Sequence, residues 1–187
     1  MNEIDYKKLL ILSLSNIAEW KNEAEIIVPS DICVFNFLPG GSLLTCELLG
    51  DRRYIIRTYY ENGIKASEEE YVGSERSGSS IFYNLNGAKN CQIEYQNNKR
   101  NGKCIRYNLG NSGIKTEIEF KNDQYHGKYT EYYENGQIKS ECEYRDSQQC
   151  GKWFGYYSDG RMSWEQEFKD GKIVSRTVFP ESVVEVE

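Results

Sequence analysis

Carboxylates recur in pairs along this chain. Glu68 and Glu70, Glu117 and Glu119, Glu141 and Glu143, and Glu165 and Glu167 stand two residues apart, and Gln92 and Glu94 make a fifth pair with one amide. Each pair is followed directly by a ring, at Tyr71, Tyr95, Phe120, Tyr144 and Phe168. Two carboxyls can divide acid and base work, but only when they converge across a cleft in unequal environments. Copying along a chain gives equivalent sites instead. A nucleophile–histidine pair has only His126 to draw on, and that residue occupies the loop position filled elsewhere by Ser77, Asn101 and Cys150. The six cysteines form no Cys-x-x-Cys, so the spacing of a zinc ribbon or redox motif is missing. No phosphate-cradling glycine loop precedes a helix. These residues predict a protein without catalysis, metal or cofactor.

Charge remains as the usable chemistry. Between residues 61 and 172 there are 18 Asp and Glu against 16 Lys and Arg, so acidity is a matter of placement. Residues two apart on a strand share a face. Both glutamate series therefore fall on one face, and the rings that follow them on the other. Lys103, Lys128 and Lys152 on neighbouring strands would cancel the ladder through pairs worth about 0.2–1 kcal/mol each. Left uncancelled, the carboxylates steer a basic partner and repel nucleic acid or anionic lipid. Counting even steps from the glycines at 127 and 151 adds Tyr129, Tyr133, Trp153 and Tyr157 to the carboxylate face, which gives it the composition of an interface. The candidate partner contacts are thus Glu117, Glu119, Glu141, Glu143, Glu165, Glu167, Tyr129, Tyr133, Trp153 and Tyr157. This placement assumes no bulge between Gly127 and Phe168.

The elements that must carry these residues repeat about every 24 positions. One glycine series runs Gly63, Gly87, Gly113, Gly136, Gly160, and another runs Gly78, Gly102, Gly127, Gly151. A period of this length marks a stacked array. Asn62-Gly63, Asn86-Gly87, Asn135-Gly136 and Asp159-Gly160 sit between β-prone runs and predict two-residue type I′ hairpin turns. The interval from Gly102 to Gly113 is two residues longer and predicts a looser turn or bulge. An invariant tyrosine lies five residues after each opening position, at Tyr59, Tyr83, Tyr107, Tyr132 and Tyr156. With 15 Tyr, 7 Phe and 3 Trp in 187 residues, the rings suit strands.

The recurring Tyr-Tyr-Glu-Asn-Gly, Glu-x-Glu-Tyr/Phe and Gly-Lys elements resemble the variant MORN repeats over roughly residues 54 to 175. The resemblance implies a mainly β fold: an elongated, single-layer antiparallel β-meander of repeated hairpins. Because bacterial members include antitoxins and immunity proteins, it also implies an inhibitor that blocks a toxin-like partner with a basic surface. Other members imply a structural or scaffold module. Tyr54 and Ser175 replace expected glycines, so the end copies read as caps.

Residues 1 to 53 stand outside the clean repeat. Leu9, Leu10, Leu14, Ile17 and Trp20 trace one apolar stripe from about Asp5 to Ala24, which predicts an amphipathic helix capping the array or binding a partner. Ile32 to Leu38 and Leu43 to Leu49, joined by Pro39-Gly40-Gly41, predict a hairpin. Residues 54 to 175 are the array, and 176 to 187 a tail or last strand. Lys7-Lys8 before Leu9 to Leu14 lacks the basic start and small-residue site of a secretory leader. No run approaches the roughly 18 apolar residues that span a bilayer. Three disulfides are possible by count, but Cys91 and Cys142 take ordinary strand positions, which favours free thiols and a cytoplasmic location.

Overall fold

The structure is a computed structural model, and it describes residues 32–36, 43–50, 52–109, 113–169 and 171–181. Thirteen strands follow one another in sequence order in an open antiparallel meander. They are β1 (Ile32–Asn36), β2 (Leu43–Gly50), β3 (Arg53–Tyr59), β4 (Lys65–Val72), β5 (Glu75–Tyr83), β6 (Lys89–Gln96), β7 (Lys99–Tyr107), β8 (Ile114–Lys121), β9 (Gln124–Tyr132), β10 (Ile138–Arg145), β11 (Gln148–Tyr156), β12 (Met162–Lys169) and β13 (Lys172–Val178). No helix occurs among the described residues. The amphipathic segment from Asp5 to Ala24 lies outside them. The predicted N-terminal hairpin is present as the β1–β2 pair.

Two kinds of turn alternate, and the asparagine–glycine pairs are not the two-residue type I′ turns that the sequence predicts. At Asn135-Gly136 only the glycine has positive φ, +83°. Tyr133 N–H donates to the Gln137 carbonyl (2.8 Å), and Gly136 N–H donates to the Tyr133 carbonyl (2.9 Å). This closes a three-residue loop of the type I plus left-handed-glycine kind. Asn135 Oδ1 accepts from Gln137 N–H at 3.0 Å, which holds the asparagine in the right-handed region. The two-residue turns with positive φ at both positions are instead Asn97-Asn98, Asn122-Asp123 and Asp146-Ser147, where each copy passes to the next.

The glycine carries a testable cost. A Cβ on Gly136 would meet nothing within 4 Å, so a substitution there is penalised by conformation alone. Gly136→Val is expected to lose about 1–3 kcal/mol, and Gly136→Asn clearly less, because asparagine tolerates the left-handed region. Urea midpoints of the two variants check this; equal midpoints for wild type and valine would contradict the turn.

A bulge opens the return strands β4, β8, β10 and β12. Across β9 and β10, Tyr132 pairs with Ile138 but Glu131 pairs with Ser140, which leaves Lys139 extra. The same skip occurs at Ala66, Lys115 and Ser163. One extra residue reverses which face every later side chain takes relative to its neighbours.

Contacts divide the chain into two units, Met1–Lys89 with Glu94–Lys99, and Asn90–Ile93 with Arg100–Glu187. In the first, Leu44, Cys46, Tyr54 and Ile56 are buried together with Tyr71 against them. Tyr54 and Tyr71 stack at 5.3 Å, and the Tyr54 hydroxyl donates to the Gly73 carbonyl at 2.6 Å. Tyr54 thus fills with a ring the position that later copies give to glycine. On the opposite face Arg57 bridges Glu47 and Glu68, both at 2.6 Å.

Candidate functional site

The second unit holds all ten candidate residues, and the sheet register sorts them onto separate surfaces. Glu117 pairs with Thr130, Thr130 with Glu141, and Phe154 with both Glu141 and Glu165. Two residues along, Lys103 stands opposite Glu119, Lys128 opposite Glu143, and Lys152 opposite Glu167. The six glutamates therefore do share a face, as the period-two alternation predicts.

The lysines do not bind the carboxylates they face. Lys128 Nζ reaches diagonally to Glu141 Oε2 at 2.8 Å, and Lys152 Nζ lies 3.7 Å from Glu165 Oε2. The inner row is also met by hydroxyls. Tyr156 Oη donates to Glu141 Oε1 at 2.8 Å, and Tyr132 Oη donates to Glu117 Oε2 at 3.4 Å. Glu119 folds over the strand bulge at Gly127, where its carboxylate accepts the Lys128 N–H at 3.4 Å, and a Cβ on that glycine would collide with it. Glu143 and Glu167 are exposed, and neither makes an ion pair or hydrogen bond through its carboxylate among the described residues. Two of the six carboxylates thus carry a lysine, and both belong to the inner row.

Electrostatics follow this geometry. The Lys128 ammonium holds the Glu141 carboxyl below the usual range against the opposing effect of burial, with the Tyr156 hydroxyl assisting. Tyr156 is pushed up to about 12 by burial and then by its bond to Glu141. Both shifts favour a charged Glu141 beside a neutral phenol, which fits a structural clamp.

The aromatic candidates do not join the carboxylates. Tyr129 pairs with Ile118 and Cys142, and Trp153 pairs with Gln166, so both lie on the opposite face. The bulges at Lys139 and Ser163 cause the reversal. There, Phe120 and Tyr125 (4.9 Å), Tyr125 and Tyr144 (5.4 Å), Tyr129 and Tyr144 (6.2 Å), Trp153 and Trp164 (5.5 Å), and Trp153 and Phe168 (6.0 Å) make ring contacts. The Arg100 guanidinium sits 4.2 Å from the Phe120 ring centre, held by Asp123 at 3.0 Å. Tyr129, buried here, is pushed up to about 12, chiefly by that burial. The invariant tyrosines Tyr132 and Tyr156, expected with the rings, are on the carboxylate face instead.

Tyr133 and Tyr157 are spacers between copies. Their hydroxyls donate to the carbonyls of Tyr156 (2.7 Å) and Phe179 (2.8 Å), and Asn135 Nδ2 donates to the Ser158 carbonyl at 2.9 Å. Four of the five residues of the motif Tyr-Tyr-Glu-Asn-Gly are thereby explained: the first ring clamps a glutamate, the second and the asparagine tie to the next copy, and the glycine turns the chain. The MORN repeat variant family model matches residues 55–72 and 125–146, within this pattern.

The chain carries MORN-variant repeats.

No curated protein matches it. Among solved structures, TarM overlaps 65% of this chain and 24% of its own at 15% identity and a TM-score of 0.41. A Staphylococcus aureus TarM mutant in complex with fondaparinux, α-GlcNAc-glycerol and UDP overlaps 67% and 24% at 12% identity and a TM-score of 0.43. The accessory secretory protein 1, 2 and 3 structure from Streptococcus pneumoniae overlaps 84% and 19% at 13% identity and a TM-score of 0.21. The chain spans about a quarter of the length of the TarM chains, and overlaps this loose transfer neither fold nor activity.

Sequence reasoning missed Gly155 and Trp164, which face each other across β11 and β12. The signal was present, since the positions 24 residues earlier hold Glu131 and Ser140. His126 lies 3.2 Å from Asp146, a residue of the Asp146-Ser147 turn. No cluster of three metal-binding side chains occurs among the described residues, and no helix among them is long and apolar enough to cross a membrane. Cys91, Cys104, Cys142 and Cys150 are free thiols.

Proposed function

We propose that the MORN-variant chain is a non-enzymatic, cytoplasmic protein-binding module of the antitoxin or immunity type, which holds a partner with a basic surface on its carboxylate face and blocks that partner's working site. One observation supports this reading above others: Glu143 and Glu167 project from an ordered sheet as exposed carboxylates that no neighbouring cation cancels. Charge fixed on a rigid scaffold steers encounter and sets partner choice. Glu141 and Glu165 serve the contact less directly, since each is already paired with a diagonal lysine.

The test is a double charge reversal, Glu143→Lys with Glu167→Lys, compared with wild type in recovery of a basic partner from the native source. The variant is expected to keep its far-UV spectrum, bind about tenfold or more weakly, and lose most of the salt dependence of binding. Unchanged affinity and salt dependence would remove the carboxylate face from the interaction. A second reading, a scaffold that assembles through its sheet edge, is favoured by β13, which among the described residues pairs on one side only and whose residues are all exposed. Self-association in place of a one-to-one complex would support it.

A further inference from the structure

On strands β11 to β13 the ring face carries a patch built row by row. Antiparallel partners stand side by side on one face. One row is Gly155, Trp164 and Val178, and the next is Trp153, Gln166 and Arg176. The third is Gly151, Phe168 and, past a bulge at Val174, Ile173. Asp, Glu and Lys are absent from these positions while Trp, Phe and Arg are present, which is the composition of the core of a protein interface. Val178 is 60% and Ile173 54% exposed. Trp164 and Phe168 stand beside them in register, and both contact the Trp153 ring.

The middle row holds donors without acceptors. Arg176 is exposed, and neither its guanidinium nor the Gln166 amide makes a hydrogen bond or ion pair among the described residues. Trp153 Nε1 is buried and donates to nothing among them. Glu131, a carboxylate of this face on β9, is already held by Lys139 at 2.9 Å. A surface that covers the apolar rows must also take Arg176 out of water, and a buried cation is tolerated only when paired. Carboxylate and guanidinium pair through two parallel hydrogen bonds. Residues two apart stand roughly 6.7 Å apart along a strand, so alternate side chains of an extended segment match the spacing of the rows. The occupant that fits reads apolar–x–acid–x–apolar. A second copy docked by a two-fold contact centred on the patch would set Arg176 against Arg176. Anionic lipid fits poorly, since one arginine adds only about 1 kcal/mol of attraction and the chain has a net charge of −6.

We propose that this patch docks an extended segment of a partner protein. An Asp or Glu of that segment lies on Arg176 and Gln166, and apolar side chains two residues to either side rest on Trp164 with Val178 and on Phe168 with Ile173. The site is on the face opposite the carboxylates and does not depend on their role. The test is selection of a phage-displayed library of random peptides on the full-length chain. The recovered sequences are expected to be enriched in apolar–x–acid–x–apolar. Arg176→Glu should keep the far-UV spectrum, weaken the best of these peptides by about tenfold or more, and move a fresh selection to lysine or arginine at the central position. Arg176→Gln, which removes the charge alone, should weaken the same peptide to a smaller degree. Absence of the motif, or motif peptides that bind both variants as they bind wild type, would overturn the proposal. Recovery of basic peptides alone, indifferent to Arg176→Glu and lost with Glu143→Lys and Glu167→Lys, would also overturn it while supporting the carboxylate face. Flotation with phosphatidylcholine vesicles containing phosphatidylserine supplies the last arm. Vesicle binding that Arg176→Glu abolishes would assign the patch to a membrane and overturn the proposal; no vesicle binding is expected.

Discussion

Replacing Gly155 with valine is expected to lower the stability of the sheet by about 3 kcal/mol, the upper range for a side chain forced into occupied space. Gly155 is buried, and the Trp164 indole packs against it: a Cβ built on the glycine would collide with Cε2 and Nε1. The neighbour that must give way is rigid, and it is held edge-on by Trp153 at 5.5 Å. Displacing it therefore disturbs the Trp153–Phe168 contact too. Rescue is expected from Gly155→Val combined with Trp164→Ser, because two other copies accommodate a larger residue at the first position opposite a serine at the second: Glu131 faces Ser140, and Thr58 faces Ser67. Urea midpoints followed by far-UV circular dichroism measure both variants. A coupling energy near zero in the double-mutant cycle would mean that the indole does not occupy this slot.

How much of this was legible beforehand divides along a physical line. The period, the strand count per copy and the common face of Glu117 to Glu167 depend on spacing within single strands, and alternation alone carries them. Gly136 was legible as a turn glycine. Its turn type was not, because Asn135 uses its side chain to hold a right-handed backbone where an asparagine–glycine pair more simply suggests two left-handed residues. The faces of Tyr129 and Trp153 depend on relations between strands, and one extra residue at Lys139 or Ser163 inverts them. No composition marks those bulges: the skipped residues are Ala66, Lys115, Lys139 and Ser163. The distinction between inner and outer glutamates was equally hidden, since it comes from lysines leaning across to the diagonal neighbour. A repeat thus discloses its elements but withholds how they register. The candidate surface shrinks accordingly, from ten residues to the glutamates, and within those to Glu143 and Glu167.

Alkaline titration tests the placement of both tyrosine sets at once. Tyr129 and Tyr156 lie on opposite faces, yet each phenol is pushed up to about 12, chiefly by burial. Burial also raises the Cys142 thiol to about 12. In the unfolded chain the phenols ionise near 10 and the thiol near 8.5. Between those values and about 12 the folded state retains protons that the unfolded state has released, so these groups stabilise fully at neutral pH and the contribution fades as pH rises. The unfolding midpoint is expected to hold steady to about pH 8 and then fall through pH 12, by on the order of 1 kcal/mol per tyrosine once the part of each ring in water is discounted. Tyr156→Phe should flatten the fall by close to one proton. At neutral pH the same change should cost only about 1 kcal/mol, the worth of the lost hydrogen bond to Glu141. Glu141 sets the acid limb with the opposite sign. Its depressed carboxyl stabilises above about pH 4.5, and that contribution is lost as pH falls through the folded value. Should phenolate absorbance show every tyrosine ionising together near pH 10 while the sheet stays folded, Tyr156 would not be clamped against Glu141, and the ordered inner row that leaves Glu143 and Glu167 outermost would lose its support.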